Sequence, residues 1–257
     1  MNKAALQEFL DYKVALYNNE AFIPDDPVSI PHQFKRLQDI EISGFFAAML
    51  SWGRRNMIIK SCNNLFAMMD YAPYDFILHH SGSDLKPLLN FIYRTFNATD
   101  LLFFISFFKE YYSTFVSLES AFSNYLTPGD PDIKKALIGF QQIVFAGDYP
   151  ERTRKHLSSP AKNSACKRLN MFLRWMVRSD HQGVDFGLWK AIAPSQLIIP
   201  MDIHVSRVAS RLELIENDKV SWKNAVALTD KLRAFDPDDP VKYDFALFGL
   251  GIMEKFV

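Results

Sequence analysis

Two side chains in this sequence could do chemistry together, Lys167 and Asp202. Lys167 lies in Ser164-Ala-Cys-Lys-Arg-Leu-Asn170 and opens a segment whose apolar residues recur at helical spacing. A lysine amine becomes a nucleophile when desolvation or cationic neighbours lower its pKa, and the positive end of a helix dipole works against its charge as well. Arg168 and Arg174 push the same way. The alternative is an exposed lysine that only binds phosphate. Asp202 follows Pro200-Met201 and precedes Val205, Val208, Ala209 and Leu212, an apolar helical stripe. It reads as an N-cap whose carboxylate accepts backbone N–H bonds. The same bonds keep it ionised at neutral pH, and an ionised carboxylate can steady a cation developing on a sugar ring. Cap and catalyst are compatible roles. The two residues are 35 positions apart, on different helices. Joint action on one sugar requires their side-chain ends to approach within roughly 4–8 Å.

The elements that must position this pair follow from periodicity. With Lys167 at zero and about 100° per residue, Leu169, Phe172, Leu173, Met176 and Val177 share one apolar sector of the segment Ala165–Arg178. Arg174 and Arg178 fall within about 20° of Lys167, one to each side of it, opposite that sector. That predicts a helix with one packing face and one column of positive charge, with Trp175 at its edge. The surrounding segment 151–180 carries Arg152, Arg154, Lys155, Lys162, Lys167, Arg168, Arg174 and Arg178 against Glu151 and Asp180. In a chain of zero formal net charge, such a segregated patch is either a solvated face or the footprint of a phosphate-rich partner. Arg54 and Arg55 form a second basic pair in a turn after Trp52-Gly53.

The remaining chain reads as all-α. Helices are expected over Ala4–Tyr17, Ile40–Trp52, Met57–Met69, Pro73–His80, Leu88–Phe96, Asp100–Tyr112, Leu118–Leu126 and Ile133–Phe145, with Thr99 or Asp100 capping the sixth of these. Phe22–His32, with Pro24, Pro27 and Pro31, reads as an extended connector. No sustained period-two alternation and no Asn-Gly or Asp-Gly hairpin signal occurs. At 257 residues and 49% apolar content the chain can bury a large core, and its 23 phenylalanines give it a heavy aromatic load. Two cysteines, Cys62 and Cys166, exclude a disulfide framework, a four-cysteine iron–sulfur cluster and an all-cysteine zinc site. No metal site or cofactor is expected. The opening residues hold no apolar signal core and no run is long enough to span a bilayer, so a cytoplasmic protein is expected.

Three blocks together resemble the helix-hairpin-helix DNA glycosylase superfamily, the endonuclease III-like enzymes. They are Phe45-Phe-Ala-Ala-Met-Leu-Ser-Trp52, Lys167-Arg-Leu-Asn-Met-Phe-Leu-Arg-Trp175 and Pro200-Met-Asp-Ile-His-Val-Ser-Arg-Val208, of which the last is the most specific. Lys223–Gly251 resembles the closing helices of that fold, and the nearest overall likeness is to an uncharacterised bacterial family. The resemblance implies a two-lobed fold, with 36–190 as a helical barrel ending in the basic helix and 1–35 with 191–257 as a terminal domain. It implies a base-excision glycosylase/lyase on damaged double-stranded DNA, with Lys167 as the Schiff-base nucleophile and Asp202 as the catalytic carboxylate. Gly53 takes the intercalating-turn position; Arg54, Arg55, Lys155, Lys162, Arg168, Arg174 and Arg178 would hold DNA. Trp52, Trp175, Trp189 and His204 are candidates for a base pocket, Trp189 within a long loop containing Gly187-Leu-Trp189. The sequence departs from the superfamily in its hairpin, Ser158-Ser-Pro-Ala-Lys-Asn-Ser164, which has no glycine, and in lacking the iron–sulfur cysteines of many relatives. A non-catalytic nucleic-acid-binding relative and a helical scaffold for protein partners are the competing readings.

Overall fold

The computed structural model describes residues 2–256 and is all-α apart from one minimal hairpin. Its helices are α1 (Lys3–Tyr17), α2 (Leu37–Leu50), α3 (Arg55–Ala67), α4 (Pro73–His79), α5 (Ala98–Tyr112), α6 (Ser120–Ser123), α7 (Lys134–Val144), α8 (Lys167–Val177), α9 (Ile203–Arg211), α10 (Trp222–Arg233) and α11 (Tyr243–Ile252). Among the described residues no helix is long and apolar enough to cross a membrane. The chain separates into a middle unit, Ile23–Tyr125 with Ile138–Ser158, and a terminal unit, Met1–Phe22, Leu126–Leu137 and Ser159–Val257. The boundary differs from the expected 36–190 division: α8 belongs with the terminal helices, not with the middle of the chain.

The middle unit is built around α2. A helix apolar on all sides has to be enclosed, and every residue from Ile40 to Leu50 is buried. Phe45 meets Phe108 and Phe104 of α5 edge to face, with ring centres 5.1 and 5.3 Å apart. One carboxylate is enclosed with them. Glu41 accepts hydrogen bonds from Tyr112 Oη (2.9 Å), Ser117 Oγ (2.6 Å) and Leu118 N (3.0 Å), which ties the end of α5 to α2. The helix expected over Leu88–Phe96 does not form. Pro87–Asn90 makes a single 3-10 turn, and the strands β1 (Ile92–Tyr93) and β2 (Phe96–Asn97) pair antiparallel around Arg94-Thr95. A short apolar run does not by itself distinguish helix from strand, and here Arg94 adopts φ +55° to close the turn. The cap of α5 is Asn97, not Thr99 or Asp100. Its side chain accepts from Thr99 N, while Asp100 reaches back to Asn97 N in a capping box. The region expected as Leu118–Leu126 is helical only over Ser120–Ser123, and the proline-rich Phe22–His32 stretch is wound into short 3-10 turns rather than extended.

In the terminal unit α1 lies along α11. At Gly249 a methyl group would stand 2.2 Å from the Tyr17 ring, so the helices touch through the missing side chain. Glu254 accepts from Lys13 Nζ (2.7 Å) and from Tyr17 Oη (2.5 Å) at the end of this contact. The packing of α1 on the C-terminal helices is as expected. α9 also packs on α11, where a methyl group at Gly251 would lie 3.2 Å from His204 Cβ.

Candidate active site around Lys167 and Asp202

The turn that leads into α8 is built without glycine. Ser159 caps the turn Pro160–Lys162, and Asn163 and Cys166 take left-handed backbone at φ +55° and +50°. Asparagine tolerates that conformation, whereas a cysteine held there stores strain of order 1–3 kcal/mol. Asn163 also anchors α10, its carbonyl accepting from Trp222 N (3.0 Å) and its side chain from Lys223 N (3.2 Å). The turn therefore fixes where Lys167 begins.

Lys167 Nζ lies 2.7 Å from Asp202 Oδ2, closer than the expected range and within one unit of the molecule. Asp202 divides its two oxygens. Oδ1 accepts from His204 N (2.9 Å) and Val205 N (3.0 Å) as the cap of α9, and Oδ2 takes the lysine. Burial pushes the carboxyl up, but the Lys167 ammonium and the Val205 N–H outweigh it and hold Asp202 below the usual carboxylate range. Side-chain exposure of 31% for Lys167 and 19% for Asp202 leaves the pair open to a ligand.

The column of charge expected behind Lys167 is not at the surface. Arg174 is 4% exposed and Arg178 2%, and both are surrounded by acids. Arg174 pairs through Nε with Asp185 (3.2 Å) and through Nη1 with Asp244. Arg178 reaches Asp180 (2.6 Å), Asp185 (3.0 Å) and Asp239 (2.8 Å), and Asp180 also accepts from Asn18 (2.6 Å). Both guanidinium groups lie over Phe245, at 4.3 and 5.5 Å from its ring centre. Burial lowers Arg178, yet Asp185, Asp239 and Asp180 more than reverse this and its pKa is raised. Asp244, buried beside the pair of arginines, is pushed up to about 6 by burial against the pull of Arg174. The assignment of Arg174 and Arg178 to phosphate contact is thus corrected: they hold the α8 scaffold together from inside.

Trp175 and Trp189 are corrected in the same way. They are 0% and 1% exposed and present no face to a base. The loop holding Gly187-Leu-Trp189 closes the C-terminus of α8, whose final carbonyls otherwise have no helical partner. Phe186 N donates to Trp175 O (2.8 Å) and Trp189 N to Met176 O (2.9 Å), while the Trp189 ring meets Phe172 edge to face at 5.4 Å. His204 is half-buried, and its backbone N–H is one of the two that cap onto Asp202 Oδ1.

Of the other basic candidates, Lys162 is exposed and Arg168 half-buried in the same unit as the pair, with burial lowering the Arg168 pKa. Arg54 and Lys155 are exposed and Arg55 half-buried in the middle unit, which also holds Trp52. There Gly53 has φ +110°, Tyr93 Oη donates to Trp52 O (2.7 Å), and Arg94 stacks 4.9 Å from the Trp52 ring centre. Sequence reading missed Arg94 and the acids Asp185, Asp239 and Asp244. The acid-rich run Asp236–Asp244 downstream of the basic segment was the available signal. Both cysteines are buried, and the Cys166 thiol donates to Ser164 O (3.3 Å).

Residues 26–253 match the family described as Protein of unknown function (DUF2400). Comparison with curated proteins and with solved structures gives no match.

Proposed function

We propose that this chain, which belongs to the DUF2400 family, is a DNA base-excision glycosylase/lyase of the helix-hairpin-helix type that works through Lys167 and Asp202. The observation that supports this reading is the 2.7 Å contact between a half-exposed lysine and a capping aspartate from a second helix. In the resting protein the two are an ion pair, and a protonated amine is no nucleophile. An incoming flipped nucleotide would part them and the amine would give its proton to solvent. The neutral amine then forms a bond to the sugar C1′ as the C1′–N bond to the base breaks. The base leaves with that electron pair and takes a proton from water. Asp202, whose Oδ1 keeps the His204 and Val205 N–H bonds that favour its ionised form, faces the cationic sugar that forms in between. The nitrogen bonded to C1′ then carries two protons and gives one to solvent; its lone pair forms the C=N bond as the C1′–O4′ bond breaks, and O4′ takes a proton from water, leaving the protonated Schiff base. Lys162 and Arg168 are the basic candidates in that unit that would meet phosphate.

The test is borohydride trapping on duplexes carrying a panel of damaged bases. A covalent adduct with the wild type and none with Lys167→Gln is the expected result. Absence of any adduct across the panel overturns the enzymatic reading. The same ion pair also suits a structural role, since it staples the start of α8 to the cap of α9. In that case the non-catalytic nucleic-acid-binding reading stands, and salt-dependent duplex binding without trapping identifies it.

A further inference from the structure

The middle unit holds a cavity of about 470 Å³ that the proposed chemistry does not use. One wall is a single face of α5, where Phe103, Phe107 and Glu110 recur at helical spacing, continued by Thr114 in the turn just beyond its end. The loop Ala146–Asp148 after α7 and the Tyr125 ring, which lies against Gly139, complete it. The volume falls in the range of small-molecule sites, roughly 300–1,000 Å³.

Its chemistry is one-sided. The lining is aromatic, with the Tyr111 and Phe115 rings stacked at 4.7 Å and Phe107 tilted on Tyr111 at 5.8 Å. The Tyr111 hydroxyl is engaged with Ser120 Oγ at 2.6 Å, so that residue offers its ring rather than its oxygen. Phe115 remains 41% exposed. The charged lining residues are Glu110 and Asp148, both exposed, and no lysine, arginine or histidine lines the cavity. Neither carboxylate has an ion-pair partner among the described residues. Aromatic faces attract cations through the ring quadrupole, and two uncompensated carboxylates add long-range attraction of the same sign. An anion would meet repulsion from both.

We infer that this cavity binds a small organic cation, a quaternary or protonated amine carried on an apolar body, with the head among the aromatic rings and near Glu110 and Asp148. The site is separate from Lys167 and does not depend on the reaction proposed for it. Isothermal titration of the full chain with benzyltrimethylammonium, against phenylacetate as the anionic counterpart, tests it. Saturable binding of the cation and none of phenylacetate is expected. The surface variant Glu110→Gln/Asp148→Asn should bind the cation about tenfold more weakly with an unchanged melting temperature, and Phe107→Ala should weaken it further. No saturable binding of the cation, equal binding of phenylacetate, or affinity indifferent to the charge-removing pair would each overturn the assignment.

Discussion

Asp202 supports two structures with two separate oxygens, and acid can take away one of these supports before the other. Its folded pKa is depressed, so the ion-pair contribution is fully present above the ordinary aspartate value of about 4 and is lost as pH falls through the lower folded value. Asp202→Asn keeps a competent cap, because asparagine serves that position as well as aspartate. It should therefore lose only the pair, about 1 kcal/mol at pH 7, and urea unfolding should show the gap to wild type closing as pH falls below the ordinary aspartate range. A gap that persists unchanged in acid would mean that the charge on Oδ2 contributes nothing. Arg174 and Arg178 behave differently. Reversing the charge of Arg174 leaves Asp185 and Asp244 facing a third carboxylate in the interior and should unfold the terminal unit. The milder Arg178→Met takes the guanidinium away from Asp239 and from Oδ2 of Asp185, which keeps only Arg174, and should cost on the order of 3–5 kcal/mol, measurable by thermal unfolding. Lys167 and Asp202 were legible in the sequence because each begins a periodic segment. The acids that answer Arg174 and Arg178 were not, since Asp185 lies in an irregular loop and Asp239 and Asp244 lie more than sixty positions downstream of the arginines they bind.

At the level of elements, α8 depends on the chain that follows it. Gly187 has φ +57°, and a methyl group there would sit 2.3 Å from Ser179 Cβ, so the loop returns only through glycine. Gly187→Ala should cost on the order of 1–3 kcal/mol through crowding alone, and hydrogen exchange should speed up at Phe186 and Trp189, whose amides bond to the end of α8. Unchanged exchange at those two amides would show that the loop holds itself in place. Helices with caps or continuous apolar runs, such as α2, α5 and α9, could be anticipated within a few residues. The stretch Leu88–Phe96 could not, because its apolar residues fit either period and the deciding feature is a left-handed arginine at the turn. The charge column on α8 failed for a related reason. The wheel separates apolar from basic faces correctly, but it cannot say whether the basic face meets water or buried acids.

For the whole molecule, the two site carboxylates oppose each other as pH changes. Asp244 has a folded pKa raised to about 6, so its contribution is present below the unfolded value near 4 and is lost as pH rises through 6. Against Asp244→Asn, the wild type should therefore lose relative stability between pH 4 and pH 7, the reverse of the Asp202 trend. Parallel urea titrations of the two variants against wild type check both signs, and a flat difference for Asp244→Asn would show that the enclosed carboxyl does not change its proton occupancy over that interval.

The contact of α1 with α11 also sets an order of events during synthesis. The first helix leaves the ribosome long before Gly249 and Glu254, the residues that receive Tyr17 and Lys13, have been made. Until then the apolar side of α1, with Leu6 and Leu10, has no native surface to rest on. The middle unit, complete at Ser158, can close while α1 waits. Nascent chains stalled shortly before Tyr243 should thus carry a protected α2 and an α1 that proteases cleave readily, and protection of the first helix should appear only once the last one has emerged.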